Sequence, residues 1–169
     1  TQVAVVMQEK YGEKLGGDGS KLVQVIIGAG NRLRKLIDDL LVYARAGKDL
    51  GELTSFNSRI LVDEILTLLA GEIEPAHAKV RIGFLPVIIA DRNGLSHVFQ
   101  NLISNALKYR SERALEIEIS AIDEGDFWSF QIEDNGIGIR QEDKAYAFEL
   151  FKRLDGSQKV EGTGLGLPI

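Results

Sequence analysis

The chain has 169 residues, 44% hydrophobic and 27% charged, with a formal net charge of -5; that allows one domain or one and a half around a real core. The acidic balance and the lack of a long basic cluster argue against a nucleic-acid partner. With no cysteine and only His77 and His97 as imidazoles, disulfides, thiolate nucleophiles and cysteine zinc sites are excluded, and without HExxH a histidine metal site is disfavoured.

Val3, Val6 and Met7, with Lys10 and Tyr11, have helical spacing, the tail of a helix that begins before Thr1. Residues 12–20, GEKLGGDGS, predict a loop, with Ser20 as the N-cap of the next helix. Steps of three and four then run through Leu22, Val25, Ile26, Ala29, Leu33, Leu36, Ile37, Leu40, Leu41 and Ala44. They predict a helix with one apolar stripe about 35 Å long. Gly28 and Gly30 lie inside it at about 1 kcal/mol each, predicting a close helix contact or a bend. The two helices form an antiparallel hairpin whose open apolar side needs a cover. A homodimeric four-helix bundle through residues 20–46 supplies it, with packing on the following domain as the alternative. No apolar run reaches the ~18 residues of a membrane span.

Residues 47–51, GKDLG, mark the domain boundary. Beyond it, residues 52–56 predict a strand, and Ile60, Ile65, Leu66, Leu68 and Leu69 a helix that ends before Pro75. Residues 80–84 and 87–90 predict short strands, and Asp91 or Asn93 caps the next helix. That helix places Leu95, Val98, Phe99, Leu102 and Ala106 on an apolar face. Asn101, Asn105 and Lys108 share a second face about 130° away, with His97 at its edge. Leu115, Ile117, Ile119 and Ala121 alternate with polar residues, as do Trp128, Phe130 and Ile132 after a DEGD turn. That is a hairpin with one buried face, and helices on one side of a mixed sheet make an α/β sandwich.

Two amides and a lysine on one helix face can hold a cation and a phosphate. Asp134-Asn135-Gly136-Ile137-Gly138-Ile139 leaves the hairpin directly. The aspartate can accept from an exocyclic amine, and Gly136 and Gly138 admit a planar base close to the backbone. Gly162, Gly164 and Gly166 recur in GTGLGL at a helix start, where successive N–H groups cradle phosphates. This is neither a P-loop nor a dinucleotide fingerprint. Between the boxes, residues 148–154 are amphipathic and 155–161 polar, a segment suited to closing over a nucleotide. Arg153 and Lys159 can reach phosphates or serve as surface charges; His97 is a proton relay or an ordinary helical histidine.

The ordered set QNLISNALKY, DNGIGI, FELFKRL and GTGLGL resembles the N, G1, F and G2 boxes of two-component sensor histidine kinases. These belong to the ATP-binding superfamily of HSP90, DNA gyrase and MutL. YGEKL, RLRKLIDDLLVYARAG, LPVIIAD and LFKRL look most like the phytochrome-type kinases. The resemblance implies an α+β chain: residues 1–48 as the dimerisation and phosphoacceptor hairpin, and 52–169 as an α/β sandwich ATP-binding domain. By the same resemblance Asn105 coordinates the Mg²⁺ that bridges the ATP phosphates, supported by Asn101. Lys108 contacts phosphate, and Tyr109 stands beside the base. Asp134 binds the adenine amine in a pocket lined by Gly136 and Gly138. Gly162, Gly164 and Gly166 pass under the phosphates and hinge a lid. The implied reaction is transfer of the γ-phosphoryl group to a histidine and onward to a response-regulator aspartate, in a cytoplasmic setting under an upstream sensor domain.

Two departures accompany this resemblance. No histidine followed by Asp or Glu stands in the first helix; by register it belongs upstream of Thr1. The family's strands after the GLGL helix are also lacking, so both ends look cut. Many relatives carry glutamate at the position of His97, where it assists the transfer. The alternative is a non-catalytic nucleotide-sensing dimeric scaffold of the same fold. A gyrase-type ATPase is disfavoured because its N-box glutamate is not present.

Overall fold

The structure, a computed structural model, describes residues 2–12, 14–46, 51–149 and 167. The chain divides into two compact units, Thr1–Val42 and Tyr43–Ile169.

The first unit begins with α1 (Gln2–Tyr11) and continues into α2 (Gly16–Ala46). The loop predicted over 12–20 is shorter than expected. The Tyr11 carbonyl accepts hydrogen bonds from the amides of Lys14 and Leu15, both at 2.9 Å, and α2 begins directly afterwards at Gly16. Gly16 takes φ +64°, a conformation natural to glycine. Ser20 therefore lies inside α2 and is not its cap; glycine's low propensity is a weak prior that a long helix overrides. α2 also runs unbroken through Gly28 and Gly30, and a Cβ at Gly28 would meet nothing within 4 Å. Leu22, Val25, Ile26, Leu33, Ile37, Leu40 and Leu41 are exposed, Leu22 by 66%, while Val23, off the predicted stripe, is buried. No described helix is long and apolar enough to cross a membrane.

The second unit comprises β1 (Leu53–Asn57), α3 (Ser58–Leu68), α4 (Ala70–Ala76), β2 (Lys79–Ile82), β3 (Val87–Asp91), α5 (Arg92–Lys108), β4 (Glu116–Asp123) and β5 (Trp128–Asp134). A short 3-10 turn follows at Lys144–Tyr146. The helix predicted through Ile60 and Leu69 is α3, which ends at Leu68, before Pro75 as expected; Pro75 sits instead in a second helix, α4, that was not predicted. In so short a helix proline removes one late hydrogen bond, and the chain leaves at His77 with φ +48°. The strands form two sheets where one mixed sheet was predicted. β1 pairs antiparallel with β3; β4 lies between β2, parallel, and β5, antiparallel. Period-two alternation directs Ile117, Ile119 and Ala121 of β4, with Phe130 and Ile132 of β5, toward the core. There they meet Leu61, Val62 and Ile65 of α3 and Phe99, Ile103, Ala106 and Leu107 of α5. Phe99 meets Phe130 edge-on, with ring centroids 5.3 Å apart.

Helix α5 is rotated from the predicted orientation. Val98 is exposed and Leu95 and Leu102 are half-buried, whereas Ile103 and Leu107 are buried with Phe99 and Ala106. The buried stripe is thus turned by about 70° from the predicted one. Both stripes satisfy helical periodicity; the choice falls to the one that meets the sheet. The rotation sets Asn101, Asn105 and Lys108 almost opposite the core.

Candidate functional site

Site geometry starts at the first turn of α5. Asp91 is its N-cap: the carboxylate accepts from the amides of Asn93 at 3.0 Å and Gly94 at 3.1 Å. This satisfies two of the donors a helix start leaves unpaired. From that fixed start, spacings of four and three carry Asn101, Asn105 and Lys108 up one side. All three are half-buried, and among the described residues their side-chain polar groups take no partner. Two amides and an ammonium held on a packed helix yet uncommitted form a ready polar face for a ligand. His97 is exposed on the same helix.

At the other end the Tyr109 N–H donates to the Asn105 carbonyl at 2.9 Å, closing α5. The Tyr109 carbonyl then accepts from the Ile137 N–H, also at 2.9 Å. This bond joins the turn after β5 to the end of α5. Gly136 fits because it lacks a side chain: a Cβ there would lie 2.5 Å from the Tyr109 carbonyl oxygen and 2.6 Å from Asp134 Oδ1. Gly138 is required for its backbone, φ +67°. Asp134 is exposed, and its Oδ1 accepts from the Gly136 N–H at 2.8 Å. Among the described residues its Oδ2 has no partner, so it can accept a ligand N–H.

Tyr109, Asp134, Gly136 and Gly138 are therefore gathered where the strand turn meets the end of α5, the helix that bears Asn101, Asn105 and Lys108. Arg153, Lys159, Gly162, Gly164 and Gly166, like the segment 155–161, lie outside the described residues. Sequence reasoning missed two contributors. Asn135 ties the turn to the loop before β4, and the Tyr109 main chain, not only its ring, anchors Ile137. An Asn in a DNG turn reads as turn chemistry, and its partners lie about twenty residues away in the chain.

The donor set also discriminates between metals. No group of three or more His, Asp or Glu able to hold an ion exists among the described residues. One amide oxygen suits Mg²⁺ that arrives on a polyphosphate, since Mg²⁺ keeps waters and takes few protein ligands. It does not suit a resident structural ion.

Comparison with known proteins agrees with this geometry. Residues 90–169 match the family described as histidine kinase-, DNA gyrase B-, and HSP90-like ATPase. The chain is 33% identical over 164 residues to phytochrome-like protein Cph1 of Synechocystis sp., covering 97% of this chain and 22% of that protein. It is 37% identical to cyanobacterial phytochrome B of Nostoc sp., covering 96% of this chain and again 22% of the relative. The crystal structure of full-length ShkA in complex with AMPPNP superposes with a TM-score of 0.75 at 25% identity, covering 98% of this chain and 35% of that one. The chain thus spans about a fifth of the length of these curated relatives. Residues 90–169 thus form a catalytic ATP-binding domain of the histidine-kinase family, matching the histidine kinase-, DNA gyrase B-, and HSP90-like ATPases.

Proposed function

We propose that the chain is the core of a phytochrome-type protein-histidine kinase, which takes ATP–Mg²⁺ as substrate and passes its γ-phosphoryl group to a histidine outside these 169 residues. The observation that carries the assignment is the junction of Gly136 with the Tyr109 carbonyl. It brings an amine-accepting carboxylate beside the helix of uncommitted amides. Asp134 accepts from the adenine amine, and Gly136 and Gly138 leave room for the ring beside Tyr109. Asn105, supported by Asn101, offers its amide oxygen to Mg²⁺, and Lys108 neutralises phosphate charge. Arg153 and the glycines at 162, 164 and 166 are assigned to the phosphates by the resemblance. In the transfer, a phosphorus–nitrogen bond to imidazole forms as the bond to the β-phosphate bridging oxygen breaks, and ADP leaves. The protein's part is position and charge neutralisation. His97, exposed on α5, is assigned the role of proton relay.

Residues 1–48 serve as the dimerisation hairpin and 52–169 as the catalytic domain. Homodimerisation through 20–46 is supported by the exposed apolar stripe of α2. A response regulator receives the phosphoryl group, and an upstream sensor domain governs the transfer. A second reading, a nucleotide-sensing dimeric scaffold, is favoured by one observation: neither His77 nor His97 is followed by Asp or Glu.

Calorimetric titration with ATP, with and without Mg²⁺, tests the site; binding in both conditions, tighter with the ion, is expected. Phosphate stable in alkali and lost in acid, formed when the chain is joined to its acceptor helix, distinguishes kinase from scaffold. Binding without such label overturns the kinase assignment.

A further inference from the structure

Asn135 has no part in the nucleotide assignment above, yet four hydrogen bonds converge on it. Its Oδ1 accepts from the Glu116 N–H at 2.9 Å, and its Nδ2 donates to the Ala114 carbonyl at 2.8 Å. Its own N–H donates to the Glu116 carbonyl at 3.3 Å, and its carbonyl accepts from Ser111 Oγ at 3.2 Å. The side-chain amide acts as an extra peptide unit, with donor and acceptor used at once. It closes the turn after β5 onto the segment that links α5 to β4.

The neighbours on either side explain why this matters. Asp134 pairs with Ile117 as the last residue of β5, and its Oδ1 is already held by the Gly136 N–H. Gly136 itself is pressed against the Tyr109 carbonyl. The main chain entering and leaving Asn135 is therefore pinned, and with it the direction in which Asp134 Oδ2 faces. Each of these bonds faces solvent and is modest alone. Together they restrict a turn that would otherwise rotate.

We propose that Asn135 is a positioning residue that fixes the Asp134 carboxylate toward the base and thereby sets a preference for adenine over guanine. The proposal rests on the nucleotide assignment above. A fixed carboxylate accepts from the adenine amine and repels the carbonyl oxygen that guanine presents at the same place. A carboxylate free to swing loses the first contact and escapes the second.

The test titrates ATP–Mg²⁺ and GTP–Mg²⁺ into the full chain as wild type, Asn135→Ala, Ser111→Ala, Asp134→Ala and Asp134→Ala/Asn135→Ala. In Asn135→Ala the ATP affinity should fall roughly tenfold and the GTP affinity much less, a change of the size expected for one well-made hydrogen bond. Ser111→Ala removes a single bond and should shift the ratio in the same direction by roughly twofold. On the Asp134→Ala background, Asn135→Ala should add almost nothing, since it acts through the missing carboxylate. Equal loss of ATP and GTP binding, or a full Asn135→Ala effect without Asp134, overturns the proposal. If Asn135→Ala does not fold, an unchanged ratio in Ser111→Ala does the same. Wild type that binds neither nucleotide removes the nucleotide assignment itself, whereas wild type that prefers ATP beside variants with the same ratio removes only the role of Asn135.

Discussion

In the proposed assignment Asp134 and Asn105 divide the recognition of one ligand between two chemistries, and single substitutions separate them. In Asp134→Asn the new side chain can still accept from the Gly136 N–H through Oδ1. Its amide N–H₂ then meets the adenine amine, donor against donor. ATP binding should weaken by about 1.5–3 kcal/mol, the range for a hydrogen bond to a charged group, with or without Mg²⁺. Asn105→Ala should weaken binding mainly when Mg²⁺ is present, because its oxygen is assigned to the ion. Calorimetry in EDTA and in excess Mg²⁺ reads both; equal behaviour of the two variants would contradict the assignment. Asp134 was nominated from the sequence because an aspartate leaving a strand edge ahead of Gly-x-Gly can accept from an exocyclic amine. Asn135 was not, because its partners Ala114 and Glu116 belong to a different stretch of chain.

Helix α5 shows how an element can be recognised and still be misoriented. Its capping residue, Asp91, was one of two sequence candidates, and the structure selects it over Asn93. Asp91→Ala should destabilise the second unit by about 0.5–2 kcal/mol, read as a lower denaturation midpoint. Gly51 adds a constraint there: a Cβ on it would collide with the Asp91 carboxylate, so the cap tolerates only glycine at that approach. The rotation of the helix also changes which core residue matters. Ile103, fully buried, should cost about 2–5 kcal/mol as Ile103→Ala, whereas exposed Val98→Ala should cost far less. A chemical-denaturation pair decides between the two faces. The hydrophobic pattern alone favoured the stripe through Val98, because Leu95, Val98 and Leu102 are as apolar as Ile103 and Leu107.

The whole molecule carries an apolar stripe on α2 that the chain by itself leaves exposed, from Leu22 to Leu41. Burying it in a second copy is the basis of the proposed dimer, since exposed rows of that length are rare on monomers. Light scattering should give about twice 18.6 kDa, and Leu40→Glu should return the chain to a monomer by placing a charge in the seam. A monomeric wild type at micromolar concentration would refute it.

The residues in order were sufficient for the nature of this protein: the QNLISNALKY, DNGIGI and GTGLGL boxes and the α2 stripe are local patterns, and local patterns survive without coordinates. So was the hairpin of β4 and β5, since alternation and turn chemistry are properties of neighbours in the chain. Tertiary structure alone decided the face α5 buries and the parallel pairing of β2 with β4. It also decided that the strands form two sheets and that Asn135 spans two segments. Each of these depends on contacts between residues far apart in sequence. Propensity and periodicity leave several nearly equal local solutions, and only packing against a distant partner separates them.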